Sequence, residues 1–393
     1  MNLVEQAQNI APEIIENRRT LHQCPEIGFD LHQTTDFVMK KLKEYGYEPQ
    51  RVGKAGIVCT VGKAEGGRKT FLLRADMDAL PMQEASGEPF SSKNNNAHTC
   101  GHDTHTAMLL GAAKLLKQNE AALKGCVKFM FQPAEEILAG SLDMIGNGLL
   151  ENPKVDAAMA LHIMVGTHDA KAGYIYYKPG DAMYSADAID VKIEGKDAHG
   201  STPYLGIDAV LIAAQTVVAL QNIIAKEVSP DDKAVVLVGK MTAGTAVNSV
   251  GGNALLEVST RARTPEIRAF LMQRIKEIAT NVAITFGGKA EVVHKYGMPP
   301  LVNHLALTAE LKGYCEELLG ADHVKEVPTY TGTEDFSMMT ERLPAVMMLL
   351  GVGSTGEGHE HAIHHPAMRV NEKALPIGAA VYAECAMKWL ENN

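Results

Sequence analysis

The spacing of hydrophobic residues divides the chain into two kinds of segment. Up to about residue 180, stretches with helical spacing alternate with short apolar runs. The helical stretches lie near residues 3–22, 32–46 and 104–117, and the runs typical of buried strands are Ile57–Val61, Phe71–Ala75, Val127–Phe131 and Ala157–His162. Asp103 precedes the third helical stretch and is expected to be its N-cap. Strands interleaved with helices indicate an α/β fold with a mostly parallel sheet covered on both faces.

The pattern changes near residue 183 to strand, helix, two strands, helix, strand. That order is typical of a split β-α-β, ferredoxin-like α+β unit with an antiparallel sheet. Its segments are Ala186–Lys196, Ile207–Ala225, Ala234–Met241, Ala254–Ala262, Pro265–Phe286 and Lys289–Tyr296. Later patterns predict a helix near 304–319, a strand at Val346–Leu350 and a helix at Glu372–Leu390. We therefore expect residues 183–296 to be inserted into a catalytic domain made of residues 1–182 and 297–393.

Composition and charge narrow the classes of protein. A chain of 393 residues is long enough for about two domains. The net charge of -10 argues against nucleic acid or an anionic membrane surface as a partner. We find no uninterrupted apolar run of membrane-spanning length and no apolar export signal. The cysteines lack a disulfide-framework spacing, which favours reduced thiols and a cytoplasmic location. They are Cys24, Cys59, Cys100, Cys126, Cys315 and Cys385.

Polar residues follow three of the predicted strands. Residues 74–78 (RADMD), Gln132–Glu136 and His162 all lie at or just past a strand end. In parallel sheets the chemistry lies in loops beyond the carboxyl ends of the strands. The three segments therefore predict a single cleft lined by polar groups.

A thiol, imidazoles and carboxylates are a ligand set for zinc, manganese and similar ions. Cys100 and His102 flank a glycine, which permits a tight turn. Of the adjacent acids Glu135 and Glu136, one can bind a metal while the other stays free to shuttle protons. Each signal also has a simpler interpretation. Cys100 can be a buried thiol near a helix cap, the acidic pair can be a solvated loop, and His162 can be a core histidine.

Two further signals are equally open. His364 lies in a tract with three other histidines, His359, His361 and His365, which is also typical of a flexible surface segment. Asp78 can orient a ligand histidine by binding the ring nitrogen that does not face the metal. Alternatively, Asp76 and Asp78 can both be acidic residues of a turn. The joint occurrence of these groups at strand ends favours a metal site.

The residues resemble the amidohydrolase branch of the di-metal aminoacylase and exopeptidase superfamily, which includes hippurate hydrolase and indole-acetyl-amino-acid hydrolases. The resemblance covers essentially the whole chain in order, and CGHD with QPAEE is its most specific part. The matching segments are LHQCPEIGFD (21–30), LLRADMDALPMQE (72–84), HTCGHDTHTAMLLGAA (98–113), FQPAEE (131–136), ALHI (160–163), DAHGSTP (197–203), GTAVNSV (244–250), GTEDFS (332–337) and HHPAMRVNEKALPIGAA (364–380).

The resemblance implies a site with two divalent ions per subunit, zinc or manganese, with nickel and cobalt also fitting. It assigns the metal ligands to Cys100, His102, Glu136, His162 and His364, with Cys100 bridging both ions. The general base corresponds to Glu135. His199 and Asn248 correspond to substrate contacts, as does Arg261 in a segment that also contains Arg263.

The resemblance further implies a homodimer or dimer-based oligomer, whose inserted lid and dimerisation domain supplies His199 to the neighbouring subunit. The expected reaction is hydrolysis of an N-acyl amino acid to a carboxylic acid and a free amino acid. Two matches are imperfect: ILAGS follows Glu136 in place of a glycine-rich run, and residues 258–263 leave open whether Arg261 or Arg263 is the arginine of the family. The ligand histidine of the peptidase branches aligns near Asp76, which favours an amidohydrolase over a peptidase. The alternatives are a dipeptidase or carboxypeptidase of the same superfamily, and a metal-binding scaffold without activity.

Overall fold

The computed structural model describes residues 2–393 and divides the chain into two compact units. The first unit runs to Gly180 and includes Val302–Pro328 and Met338–Asn393, and the second comprises Asp181–Leu301 and Thr329–Ser337. The helices are α1 (Leu3–Asn9), α2 (Ala11–His22), α3 (His32–Glu44), α4 (His102–Gln118), α5 (Gly140–Gly146), α6 (Ala209–Asn222), α7 (Pro265–Thr285), α8 (Leu305–Leu319), α9 (Ser337–Thr340) and α10 (Leu375–Asn392). The strands are β1 (Gln50–Val52), β2 (Gly56–Gly62), β3 (Thr70–Asp76), β4 (Cys126–Gln132), β5 (Ala157–Met164), β6 (Ile175–Tyr177), β7 (Gly180–Met183), β8 (Ala186–Glu194), β9 (Ala198–His199), β10 (Ala234–Ala243), β11 (Ser249–Val250), β12 (Asn253–Ala262), β13 (Lys289–Met298), β14 (Leu301–Asn303), β15 (Val324–Glu326) and β16 (Ala345–Gly351).

The first unit contains an eight-stranded mixed sheet in the order β1-β2-β4-β3-β5-β16-β6-β15. Its central strands β4, β3, β5 and β16 run parallel, while β1, β2 and β6 pair antiparallel with their inner neighbours. Every residue of β3 and β4 is buried, as expected for strands covered on both faces. The predicted α/β fold class is confirmed.

The first helical stretch is two helices instead of one. α1 ends at Asn9 and α2 begins at Ala11, with Ile10 between them. Pro12 lies in the first turn of α2, where its missing N–H leaves no helical bond unmade. The apolar spacing predicted a single helix because both helices bury side chains in the same core.

The second unit contains a four-stranded antiparallel sheet in the order β10-β12-β8-β13. With α6 after β8 and α7 after β12, its chain order is that of a ferredoxin-like unit. Alternate residues of β8 and β12 are buried in a core with α6 and α7, and the residues between them face outward. Thr329–Ser337, outside the predicted insertion, joins this unit because the backbone of Tyr330 and Gly332 bonds to Ala182 and Tyr184.

One stretch of the described chain, Ala209–Glu227, has the length and hydropathy of a membrane span. The stretch ends with two charged residues, Lys226 and Glu227. Its buried residues follow helical spacing along one face and pack in the core of the second unit. One third of the stretch is buried, and its other face is exposed.

Candidate metal centre

Three neighbouring strands of the first unit bring polar groups to one edge of the sheet. β3 pairs in parallel with both β4 and β5, so the three carboxyl ends point the same way. Asp76 at the end of β3 lies opposite Gln132 at the end of β4. His162 lies near the end of β5. This is the edge at which open α/β sheets bind ligands.

Gly101 makes the turn between Cys100 and His102. Its φ of 87° lies in the left-handed region, and it is the N-cap of α4. A Cβ atom at this position would lie 2.2 Å from Cδ1 of Ile163. The turn therefore favours glycine both for its backbone conformation and for its packing, and it buries the thiol and the imidazole on either side.

The five predicted ligands converge on one region of the first unit. Sγ of Cys100 lies 3.5 Å from Nε2 of His162. Nε2 of His364 and Nε2 of His102 lie 3.5 Å and 3.8 Å from Oε1 of Glu136. The ligand atoms of Cys100, His102 and His162 are within 4.8 Å of one another, as are those of Cys100, Glu136 and His364. The thiol of Cys100 thus belongs to both groups.

Asp78 holds both the imidazole of His102 and the acidic pair. Its Oδ1 lies 3.4 Å from Nδ1 of His102. Its carboxylate also accepts hydrogen bonds from the backbone N–H groups of Glu135, at 3.0 Å, and Glu136, at 3.2 Å. A carboxylate on the far nitrogen of a ligand histidine orients the ring and raises its basicity.

Among the described histidines of the 359–365 tract, His364 alone joins this cluster. Its backbone has φ 64°, and its N–H donates to the carbonyl oxygen of Thr99 at 2.7 Å. The ring of His359 instead bonds to a backbone carbonyl oxygen, and the rings of His361 and His365 stack on each other. A backbone contact, which the sequence pattern does not reveal, distinguishes the predicted ligand His364 from the other histidines of the tract.

The electrostatics favour a thiolate at the centre of the cluster. Burial alone would raise the pKa of the Cys100 thiol, but the charges of His102 and His162 lower that pKa to about 6. Burial would lower the pKa of His102, yet the charges of Asp76 and Cys100 raise it well above its ordinary value. Hydrogen bonds to Cys100 and Glu136 raise the pKa of His364 to about 10. The thiolate is the form that binds metals.

The donor set fits divalent cations. Nε2 of His102 is buried without a hydrogen-bond partner among residues 2–393. Buried polar atoms of this kind are rare and call for an ion or water as a partner. One thiolate, three imidazoles and a carboxylate are ligands that zinc and related ions accept.

Sequence reasoning missed His105, which is fully buried. Its Nδ1 lies 2.6 Å from Oδ1 of Asp76, and its Nε2 accepts the N–H of Ile163 at 2.9 Å. Burial lowers the pKa of His105. The helical spacing could have indicated His105, because His102 and His105 are three residues apart and share one face of a helix.

The prediction that Asp103 caps α4 is wrong. The helix begins one residue earlier, at His102, because the left-handed turn at Gly101 precedes it. The Asp103 carboxylate is buried and accepts from Nε of Arg18 at 2.7 Å, while Nδ1 of His22 lies 2.8 Å from it. Asp103 therefore belongs to a buried ionic cluster instead of a cap.

That ionic cluster continues to Glu84. Nε2 of His22 lies 3.0 Å from the Glu84 carboxylate. Burial would lower the pKa of His22, but the Asp103 charge raises it. Burial would raise the pKa of Glu84, but its bond with His22 lowers that pKa to about 2. These charges fix the start of α4 from the side of α2.

The predicted substrate-contact residues lie in the second unit. β9 and β11 pair His199 with Ser249, and the N–H of Gly200 donates to the carbonyl oxygen of Asn248 at 2.8 Å, so His199 and Asn248 are brought together. Both are exposed. Arg261 lies on β12 in the other sheet of this unit, and its Nη1 donates to the carbonyl oxygen of Thr260 at 3.0 Å. The roles of these residues stay predictions.

The chain is similar over its whole length to proteins named as hydrolases. It is 35% identical to N-acetyl-L-cysteine deacetylase of Bacillus subtilis, over 97% of this chain and 89% of that protein. It is 33% identical to hippurate hydrolase of Campylobacter jejuni, over 100% of both chains. The crystal structure of the Bacillus subtilis YXEP protein, described as a dinuclear metal-binding peptidase of the M20 family, matches with a TM-score of 0.84 and 31% identity, covering 98% of this chain and 100% of that one.

The family model for peptidase family M20/M25/M40 matches residues 72–388. This range includes the CGHD and QPAEE segments and all five predicted ligands. The resemblance read from the motifs is thereby confirmed. The chain belongs to peptidase family M20/M25/M40, in the amidohydrolase branch, and is a metal-dependent amidohydrolase.

Proposed function

We propose that this protein hydrolyses the amide bond of an N-acyl amino acid and releases a carboxylic acid and a free amino acid. The observation that carries the proposal is the convergence of a thiol, three imidazoles and a carboxylate next to a second buried carboxylate, that of Glu135. The names of the relatives support the same chemistry, since one is a deacetylase and another a hippurate hydrolase.

Two divalent ions are held, in this proposal, by Cys100, His102, Glu136, His162 and His364. Cys100 belongs to both ligand groups, so its thiolate would be available to either ion. Zinc or manganese is the expected metal, and nickel and cobalt suit the same donors. Such ions polarise an amide carbonyl and make water a better nucleophile near neutral pH.

Glu135 is the proposed general base. Its backbone N–H is fixed by Asp78, and its Oε2 lies 3.9 Å from Nε2 of His102. This geometry supports a carboxylate that takes the proton of the attacking water and passes it to the leaving amine. Glu136, its neighbour, is committed to the ligand groups.

His199, Asn248 and Arg261 are proposed to contact the substrate. An exposed imidazole can donate to the carbonyl oxygen as negative charge develops there. The amide of Asn248 and a guanidinium suit the carboxylate of the product amino acid. Arg261 and Arg263 are alternatives for that guanidinium, although Arg263 already pairs with Asp181 at 3.1 Å.

A homodimer formed through the second unit is part of the proposal. β10 is an edge strand of its sheet, and edge strands need covering or pairing. Exposed apolar side chains lie on that strand, at Leu237 and Met241, and on the outer face of α6, at Leu211 and Val218. A second copy of the chain would cover this surface with an identical one. Sedimentation of the protein as a monomer at micromolar concentration would argue against the homodimer.

The cytoplasmic location and the lack of nucleic-acid and membrane partners stay predictions.

The decisive experiment is turnover across a matrix of substrates and metals. Acetyl-, benzoyl- and indole-acetyl-amino acids and unblocked dipeptides are each assayed with zinc, manganese, nickel or cobalt added to metal-free protein. We expect hydrolysis of N-acyl amino acids and little cleavage of dipeptides. Preference for dipeptides would favour a peptidase, and bound metal without any turnover would favour a scaffold.

A further inference from the structure

A chain of buried hydrogen bonds connects the three strands that carry the proposed metal centre. Nε of Arg74 donates to Oε1 of Gln132 at 2.9 Å, and its Nη1 donates to Oδ2 of Asp76 at 2.6 Å. Oδ1 of Asp76 lies 2.6 Å from Nδ1 of His105, whose Nε2 accepts the N–H of Ile163 at 2.9 Å. The four side chains of Gln132, Arg74, Asp76 and His105, the Arg74 network, are fully buried.

The partners of His105 determine where its proton lies. The N–H of Ile163 is a donor, so Nε2 must be a bare acceptor. Nδ1 then carries the hydrogen and donates to Asp76. A neutral ring satisfies both neighbours, whereas a protonated ring would leave the Ile163 N–H unpaired in a buried place. His105 thus links α4 to β5 as a neutral ring whose Nδ1 donates to Asp76 and whose Nε2 accepts from Ile163.

Each end of the Arg74 network is close in the chain to a proposed ligand. His105 lies three residues after His102 on α4, which is the spacing of one helical turn. Ile163 follows His162, and its carbonyl oxygen lies 2.8 Å from Nδ1 of that ring. At the other end, Gln132 on β4 precedes the acidic pair by three residues. The network therefore joins the elements that carry the imidazoles and the carboxylates.

The same atoms do not form a third cation site. Asp76, His102 and His105 are close enough to suggest one. However, the two Asp76 oxygens are bonded to Arg74 and to His105. The two nitrogens of His105 are likewise both committed. A cation here would have to displace a guanidinium that is already charged and buried.

We propose that the Arg74 network is a positioning network: it sets the separation of His102 and His162 on either side of Cys100, and Asp76 itself binds no metal. The inference rests on the metal centre of the proposed function. Residues that orient metal ligands without touching the metal contribute about 10- to 100-fold to metal affinity. None of the network residues is assigned to the chemical step.

The test compares Co²⁺ binding by metal-free wild-type protein and by His105→Gln. The glutamine retains an amide oxygen for the Ile163 N–H but loses the bond to Asp76. The control is Tyr47→Phe, which removes another buried hydrogen bond to α4, from the Tyr47 hydroxyl to the carbonyl oxygen of Ala113 at 2.8 Å. Both variants are expected to lower the melting temperature.

Only His105→Gln is expected to weaken Co²⁺ binding, by about 10- to 100-fold, and to change the absorption of the cobalt–thiolate complex. Wild-type affinity and absorption in His105→Gln would show that the network only stabilises the fold. If that variant does not fold, Arg74→Lys, which loses the forked geometry, is judged by the same two measurements. A wild-type protein that binds no Co²⁺ would overturn the metal centre as well, so the two failures are distinguishable.

Discussion

Most of the residues proposed for function in the first unit of this protein are buried, whereas two of those in the second unit are exposed. In the first unit, Arg74, Asp76 and His102 are fully buried and lie within a few ångströms of one another. In the second, His199 and Asn248 are exposed on a short two-stranded sheet. Burial is costly unless each charge has a partner, so the first unit must fix its geometry during folding. The exposed residues carry no such cost and have no such constraint.

Replacement of the base in the first unit has the largest expected effect. Glu135→Gln removes the proton acceptor but no proposed ligand, so turnover should fall by about 10²- to 10⁴-fold. Metal content, measured by atomic emission, should equal that of wild type. Glu136→Gln is the matched control and should lose metal. Unchanged turnover in Glu135→Gln would refute the assignment of the base.

In the second unit, His199→Ala should lower turnover by about 10²- to 10³-fold. Because His199 is exposed, metal affinity and melting temperature should stay at wild-type values, in contrast to the first unit. Mixing this variant with Glu135→Gln under exchange conditions should restore part of the activity if subunits share His199. Mixed dimers without recovery would count against sharing.

Removal of metal should affect the two units unequally. A ligand at 100 times its Kd stabilises the folded state by about 2.7 kcal/mol. Chelation should therefore lower the melting temperature and speed amide hydrogen exchange in α4 and β5. The sheet of β8, β10, β12 and β13 is expected to keep its protection. Equal loss of protection in both units would contradict a metal centre confined to the first.

The smallest effect concerns acid stability. The folded-state pKa of Glu84 is lowered to about 2 from an ordinary 4.5. Its contribution to the free energy of unfolding is therefore present above pH 4.5 and is lost as the pH falls towards 2. Glu84→Gln should be less stable than wild type at neutral pH, and the difference should shrink over that range. The measurement is urea unfolding at several pH values. Glu257→Gln in the second unit is the control, since its ion pair with the exposed Lys240 should contribute little.

Much of the fold could be predicted from the spacing of apolar residues. The predicted central strands and the helices of both units lie within a few residues of those observed, for example Phe71–Ala75 within β3 and Pro265–Phe286 around α7. The short strands β1, β6 and β15 were missed, since three residues are too few to show a period. The predicted start of α4 was wrong because the N-cap is Gly101, in the left-handed conformation, and not Asp103.

By itself, the sequence determined which residue types were available and at which strand ends they would lie. It predicted Cys100, His102, Glu136, His162 and His364 as metal ligands, since their motifs are specific, and the structure brings these five side chains together. Only the tertiary structure decided that His364 reaches Glu136 while its neighbours in the tract do not. It also revealed the link from Arg74 through Asp76 to His105, because parallel pairing brings together strands far apart in the chain. Periodicity reports which face a residue occupies, whereas hydrogen-bond partners depend on strand order and register, and local spacing encodes neither.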